Sequence, residues 1–212
     1  MFTGIVLLQG IVAKKQKVQG QVRFLFQFKK MPRGLSLGES IAVNGVCLTV
    51  RKLVPRGFCA DAVAETLKAT TLGSLEVSSP VNLERSLQFG DRVGGHFVTG
   101  HVDGVGTVRA VTRAGKNITM EIEAPQPLQP FLASKGSVAV DGVSLTLQLV
   151  RGLRFQVALV PHTLRVTTLR LRKPGDRVNL EADMLVRYSK AAGASKHRGV
   201  QLTLASLLKQ GF

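Results

Sequence analysis

Residues 38–50 read GESIAVNGVCLTV and residues 135–147 read KGSVAVDGVSLTL, 97 positions later, with seven of the thirteen positions identical. The same offset lays AETLKATTLGSLEVSSPVNLE (64–84) on PHTLRVTTLRLRKPGDRVNLE (161–181), with nine of twenty-one identical. Two separate blocks that match at one offset are not a product of shared composition. The period exceeds the roughly 20–50 residues of a solenoid unit and is about the length of a small domain. The chain therefore reads as two copies of one fold, over 1–96 and 97–188, followed by a tail of different character over 189–212.

Each copy reads as mainly β. SIAVNGVCLTV and SVAVDGVSLTL both set two short apolar runs around Asn44-Gly45 or Asp141-Gly142, the strongest short-range hairpin signal. QVRFLFQF, NITMEIEA and RFQVALV alternate as half-buried strands do. Closely spaced short strands with turn residues between them predict a small antiparallel barrel or sandwich per copy. AETLKATTL and PHTLRVTTL predict one short helix each, and QFGDRVGGHFVTGH (88–101) a glycine-rich crossover. In the tail, SKAAGASKHRG (189–199) reads as a loose basic linker. QLTLASLLKQGF then sets Leu202, Leu204, Leu207 and Leu208 near one helical face.

The formal charge of +16 first suggests nucleic acid or an anionic membrane surface. Its distribution argues otherwise: 13 Lys and Arg against 6 Asp and Glu in residues 1–96, and 16 against 7 in 97–212, so no basic arm exists. Aromatic residues are 5% of the chain, thin for base stacking. No apolar run reaches about 18 residues, which predicts no membrane span. The opening lacks the basic segment of a secretory signal, so a cytoplasmic protein with Cys47 and Cys59 reduced is expected.

CxxC, HExxH and Walker-type motifs are absent from the sequence, and His96 with His101 makes a thin metal site, so no metal is expected. The differences between the copies are more informative. Cys47 becomes Ser144, Ile5 in TGIV becomes His101 in TGHV, Asn44 becomes Asp141, Glu65 becomes His162, and Gly38 becomes Lys135. These are residue types of nucleophilic and acid–base chemistry. Drift after duplication is the alternative, with Cys47 an inert small hydrophobe.

The ordered set MFTGIV, NGVCLTV, GGHFVTGHVDG, DGVSLTL, PHTLRVTTL and VNLE with Asp183 following resembles the riboflavin synthase α-chain family over residues 1–188. The resemblance implies a tandem pair of similar six-stranded Greek-key β-barrels with a short C-terminal helix. It implies a cofactor-independent dismutation of two 6,7-dimethyl-8-ribityllumazine molecules, in which a four-carbon unit passes from one to the other. A homotrimer is implied, with the productive site between the first barrel of one subunit and the second barrel of its neighbour. An association with lumazine synthase also fits.

Carried over by position, the first lumazine pocket holds Gly4, Ile5, Val6, Cys47, Leu48, Thr49, Asp61, Ala62, Val63, Ala64, Glu65 and Thr66, with Phe2 as an aromatic wall. The second holds Gly100, His101, Val102, Lys135, Ser144, Leu145, Thr146, Val160, Pro161, His162, Thr163, Leu164 and Arg165. The resemblance points to His101 as the base that removes a proton from the acidic 7-methyl group. Cys47 or Ser144 is placed to add at C7 or to orient a water there, with Thr146 and Asp183 in support. A non-catalytic lumazine or flavin antenna protein of the same double-barrel fold is the rival reading. A nucleic-acid-binding barrel pair, supported by charge and fold analogy alone, stands third.

Overall fold

The computed structural model describes residues 1–195 other than 31, 33 and 116. The first copy builds strands β1 (Leu8–Val18), β2 (Gln21–Phe28), β3 (Ser40–Val43), β4 (Val46–Thr49), β5 (Lys52–Val54), β6 (Gly57–Ala62) and β7 (Pro80–Arg85). The second builds β8 (Gly104–Ala114), β9 (Asn117–Glu123), β10 (Ser137–Val140), β11 (Val143–Arg151), β12 (Arg154–Leu159) and β13 (Arg177–Ala182). The second sheet closes in the order β10-β11-β12-β9-β8-β13, and the first runs β4-β3-β7-β1-β2-β6-β5. These are the same ring. In the second, β11 pairs with β10 at one end and β12 at the other, through a bulge between Leu147 and Leu149. In the first, the matching strand is interrupted between β4 and β5, and the Arg51 N–H bonds the Cys59 carbonyl at 2.8 Å across the interruption. The repeat predicts a small barrel or sandwich per copy, and six strand positions in each is the count that the family resemblance implies.

Alternation decides which face goes inward. In β2 the burial pattern of QVRFLFQF puts Val22, Phe24, Phe26 and Phe28 in the core. Phe24 and Phe26 stack at 5.4 Å, and Phe26 meets Phe58 at 5.3 Å. The second barrel fills the same space with Val108, Ile122, Leu147, Val157, Leu180 and Phe155. Such aliphatic and aromatic cores exchange freely so long as total volume is kept.

The two hairpins meet at the centre of the molecule. Asn44 and Gly45 have φ of 45° and 77°, and Asp141 and Gly142 have 45° and 79°, so both are type I′ turns with two left-handed residues. A Cβ on Gly45 would lie 2.7 Å from the Gly142 amide nitrogen, and the reverse holds for Gly142. Only glycine allows this contact. The VNLE asparagines stitch the seam. Asn82 donates to the Asp141 carbonyl at 2.9 Å and accepts the Thr168 N–H at 2.7 Å. Asn179 donates to the Asn44 carbonyl at 2.8 Å and accepts the Thr71 N–H at 2.7 Å.

This seam corrects one expectation. Asp141 is no acid–base group in a pocket: it is fully buried, accepts the Asn179 N–H at 2.9 Å and holds Arg172 at 2.6 Å. Its carboxylate closes the turn because burial demands a partner for every polar atom.

Helices α1 (Ala64–Ala69) and α2 (Pro161–Val166) follow β6 and β12, each continued by a 3-10 turn. Leu67 and Leu164 rest on the two cores. Helix α3 (Met184–Ser195) differs from expectation. It runs through residues 189–195, where composition suggests a linker, because the Asp183 carboxylate accepts the Leu185 N–H at 2.9 Å and opens a helix continued by Ala191, Ala192 and Ala194. Arg187 and Lys190 lie over the Phe131 ring, which holds α3 on the second barrel. The expected helix over Leu202, Leu204, Leu207 and Leu208 lies outside the described residues. Among the described residues no helix is long and apolar enough to cross a membrane.

Candidate functional site

The chemistry-bearing residues sit on the outer faces of the central hairpins. Along β4, Val46 and Leu48 point into the core, while Cys47 is half-buried and Thr49 exposed. Along β11, Val143 and Leu145 point inward, Ser144 is half-buried and Thr146 exposed. Each outer face is then covered by a Thr-Gly motif, and the motif comes from the other half of the chain. The Cys47 N–H bonds the Gly100 carbonyl at 2.9 Å, and the Ser144 N–H bonds the Gly4 carbonyl at 2.8 Å. Val6 joins the core of the second barrel and Val102 packs against that of the first.

The pocket memberships expected from the sequence are therefore exchanged at this point. Gly4, Ile5 and Val6 belong with Ser144, Leu145 and Thr146; Gly100, His101 and Val102 belong with Cys47, Leu48 and Thr49. Sequence order assigns each motif to its own repeat, whereas the antiparallel bridge between Phe2 and Val98 carries each one across the seam. The strand that carries Cys47 and the segment that carries His101 are thus neighbours. Phe2 is no pocket wall either. It is fully buried among Ala42, Val98 and Ala139, where it plugs the seam.

One glutamate per copy shapes each motif. Glu84 accepts the Thr3 N–H at 2.8 Å, the Thr3 hydroxyl at 2.7 Å and the Gly4 N–H at 3.1 Å. Glu181 accepts the Thr99 N–H at 2.6 Å, the Thr99 hydroxyl at 2.8 Å and the Gly100 N–H at 3.0 Å. Burial pushes both carboxyls above the ordinary range although three donors converge on each. Sequence reasoning passed over both glutamates. Their signal was the VNLE run, unchanged between the copies. In each copy its Val and Leu fill the core, its Asn crosses the seam and its Glu cradles the motif.

The remaining expected residues fall into two matching groups. Asp61 and Ala62 end β6 and lead through Val63 into Ala64, Glu65 and Thr66 of α1, and β6 lies beside β4. Asp61 is engaged by Arg23 at 2.7 Å and Arg51 at 3.2 Å, and the Arg23 guanidinium holds its carboxyl below the usual range. Leu159 ends β12 and leads through Val160 into Pro161, His162, Thr163, Leu164 and Arg165 of α2. The Arg165 guanidinium reaches His162 Nδ1 at 3.1 Å. Lys135 is exposed and holds φ of 65°, where the first copy has Gly38 at 79°.

Asp183 lies at the start of α3 as the group that accepts the Leu185 N–H. His101 is exposed, and its N–H bonds the Thr99 hydroxyl at 3.2 Å. A small cavity of about 160 Å³ beside it is bounded by Thr99, Asp103, Glu181, Met184 and Tyr188. The matching cavity at Ile5 is about 550 Å³ and is bounded by Thr3, Leu7, Glu84, Gln88 and Arg92. Helix α3 makes the difference, since Arg187 pairs with Asp103 and draws Met184 and Tyr188 over the His101 side. His96 lies on the Ser144 side, its Nδ1 at 2.7 Å from the Ser144 hydroxyl. Among the described residues no group of three metal-ligating side chains gathers.

Two half-buried nucleophile-type side chains, each under a Thr-Gly motif, make a duplicated candidate small-molecule site. The lumazine binding domain family matches the chain twice, over residues 3–86 and 99–183. The riboflavin synthase of Brucella abortus is 43% identical over 194 residues, covering 89% of this chain and 96% of that one. That of Actinobacillus pleuropneumoniae is 41% identical over 189 residues, covering 89% and 87%. Among solved structures, LumP complexed with riboflavin is similar with a TM-score of 0.78 and 29% identity, over 86% of this chain and 99% of that one. The chain belongs to the riboflavin synthase family of double lumazine-binding-domain proteins.

Proposed function

We infer that this chain is a riboflavin synthase. It takes two molecules of 6,7-dimethyl-8-ribityllumazine, transfers a four-carbon unit between them, and releases riboflavin and 5-amino-6-(ribitylamino)uracil. The observation that carries the reading is the doubled site, with Cys47 beside the segment that carries His101 on one side of the seam and Ser144 beside Gly4 on the other. A reaction between two identical molecules needs two similar pockets whose reacting groups differ. Holding both reactants in register replaces a bimolecular encounter, an effect that reaches about 7–11 kcal/mol.

In this reading backbone groups of Leu48, Thr49, Leu145 and Thr146 read the pyrimidinedione edge, and Thr66 and Thr163 reach ring or ribityl oxygens. His101 removes the 7-methyl proton of the lumazine held beside Cys47. Lys135 supplies positive charge to developing anionic oxygens. The working assembly is a trimer that brings the Cys47 site of one subunit against the Ser144 site of the next. Ile5 at 40%, Leu7 at 65%, Val63 at 48% and Val160 at 51% exposure support a covering partner, since they leave apolar surface open around both sites. A cytoplasmic location and an association with lumazine synthase accord with the same reading.

A second reading has its own support. Solved structures similar to this chain include LumP with riboflavin, flavin mononucleotide or the lumazine bound, so a binding protein without turnover is the rival. The presence of Cys47 and His101 favours catalysis. Incubating the protein with 6,7-dimethyl-8-ribityllumazine alone and following riboflavin absorbance decides between them. Binding without product leaves the antenna reading. With turnover established, His101→Ala lowers kcat by about 10²–10⁴-fold and weakens ligand binding far less; equal losses would make His101 a binding residue only.

A further inference from the structure

The GGHF run at the end of the crossover lies against the Ser144 site. The His96 N–H bonds the Thr3 carbonyl at 3.2 Å, and the Ser144 N–H bonds the neighbouring Gly4 carbonyl at 2.8 Å. His96 and Ser144 are thereby pinned to adjacent residues of one short segment. Residue 95 has to be glycine for this. A Cβ there would lie 2.3 Å from the Thr3 carbonyl oxygen and 2.8 Å from Ser144 Oγ. With that space open, His96 Nδ1 meets Ser144 Oγ at 2.7 Å. The imidazole is 8% exposed and its Nε2 has no hydrogen-bond partner.

Burial pulls the His96 pKa below its ordinary value, against a smaller opposing effect from the Asp183 charge. Burial thus favours the neutral ring. A neutral imidazole has one donor and one acceptor nitrogen, and a serine hydroxyl beside Nδ1 donates to it when the ring proton resides on Nε2. The Asp183 carboxylate then favours the imidazolium that forms once Nδ1 takes a proton. Cys47, at the matching place in the other copy, has no such partner. Among the described residues its thiol makes no hydrogen bond, and it packs against the apolar cluster of Phe2, Ala42, Val98 and Ala139.

We propose that Ser144, rather than Cys47, is the protein nucleophile that adds to C7 of the lumazine held beside Gly4, and that His96 is the positioning residue that aims its oxygen and takes its proton. The proposal rests on the synthase reading. In the step, the Ser144 O–H bond breaks and an Oγ–C7 bond forms. The proton moves to His96 Nδ1, and the π-electron pair displaced from C7 is delocalised through the ring onto the pyrimidinedione. Elimination later breaks the Oγ–C7 bond and returns the proton, so both residues are restored.

A double-mutant cycle on the full chain tests this, after wild-type turnover has been measured. His96→Gln and Ser144→Ala should each lower kcat by about 10²-fold or more while riboflavin Kd moves by less than about threefold. The double variant should be no slower than the slower single variant by more than about twofold. Losses that multiply, or a Kd that rises in step with the fall in kcat, overturn the proposal. A second measurement needs no turnover: 15N histidine spectra of the unliganded protein should show His96 with its proton on Nε2 and a bare Nδ1 whose resonance shifts in Ser144→Ala. A proton on Nδ1 would overturn the assigned direction of the hydrogen bond. A wild-type protein that shows this tautomer but yields no riboflavin would instead refute the synthase reading and, with it, the nucleophile's role.

Discussion

The site around Cys47 and the site around Ser144 share a skeleton and differ in how they are finished. Both have a type I′ hairpin, a Thr-Gly motif borrowed across the seam and a glutamate under that motif. Around Cys47 the completing groups are an exposed histidine and a helix, α3, that narrows the adjoining cavity. Around Ser144 they are a buried histidine bonded to the Ser144 hydroxyl and a cavity left wide. The shared parts are those whose change would break the barrel or the seam. The differing parts at the two sites lie outside the barrel cores, where residue type is free to follow chemistry.

The largest test of that division is made at the seam, where the copies differ despite burial. Asn44 sits where its counterpart is Asp141, and Leu75 where the counterpart is Arg172. Asn44→Asp would bury a carboxylate with no cation beside it and should cost about 3–5 kcal/mol, read by urea or thermal unfolding. Adding Leu75→Arg should recover a large part of that loss. No recovery would mean that Arg172 does not support Asp141 in the second copy.

Lys135 gives a smaller effect of opposite sign. A lysine at φ of 65° is strained where Gly38, its counterpart, is not. Lys135→Gly should therefore stabilise the fold by about 1 kcal/mol while weakening lumazine binding. A variant both more stable and fully active would remove Lys135 from the site.

The smallest effect separates the copies by pH. The folded pKa of His96 lies below its ordinary value of 6.5, so between the two values the unfolded chain binds more protons than the folded one. Stability rises with pH through that window and is lost as pH falls from 6.5 toward the folded value. His96→Phe should flatten this limb in unfolding measured across mild acid. An unchanged slope would mean that His96 is accessible and protonated in the native state.

Much of the fold was legible in the chain. Asn44-Gly45 and Asp141-Gly142 announced their hairpins because two successive left-handed residues are cheap for few other pairs. The alternation in QVRFLFQF announced its inward phenylalanines. The tail is less legible at residues 189–195, where small and basic residues suit a linker and a helix equally until Asp183 caps the first turn and Phe131 receives Arg187 and Lys190. In the site, Cys47, Ser144 and His101 stood out because they differ between otherwise matching motifs. His96 did not, because it has no counterpart to differ from. Glu84 and Glu181 did not, because they are identical.

By itself the sequence determined that there are two copies of one small β-barrel, where each turns, and which residues differ between them. These properties follow from local backbone preference and from alternation along a single strand. Only the tertiary structure decided which motif serves which copy. The exchange of Gly4 and Gly100 across the seam, and the meeting of His96 with Ser144, depend on contacts between segments tens of residues apart. Such pairings are set by how two barrels pack back to back, and no local pattern carries that information.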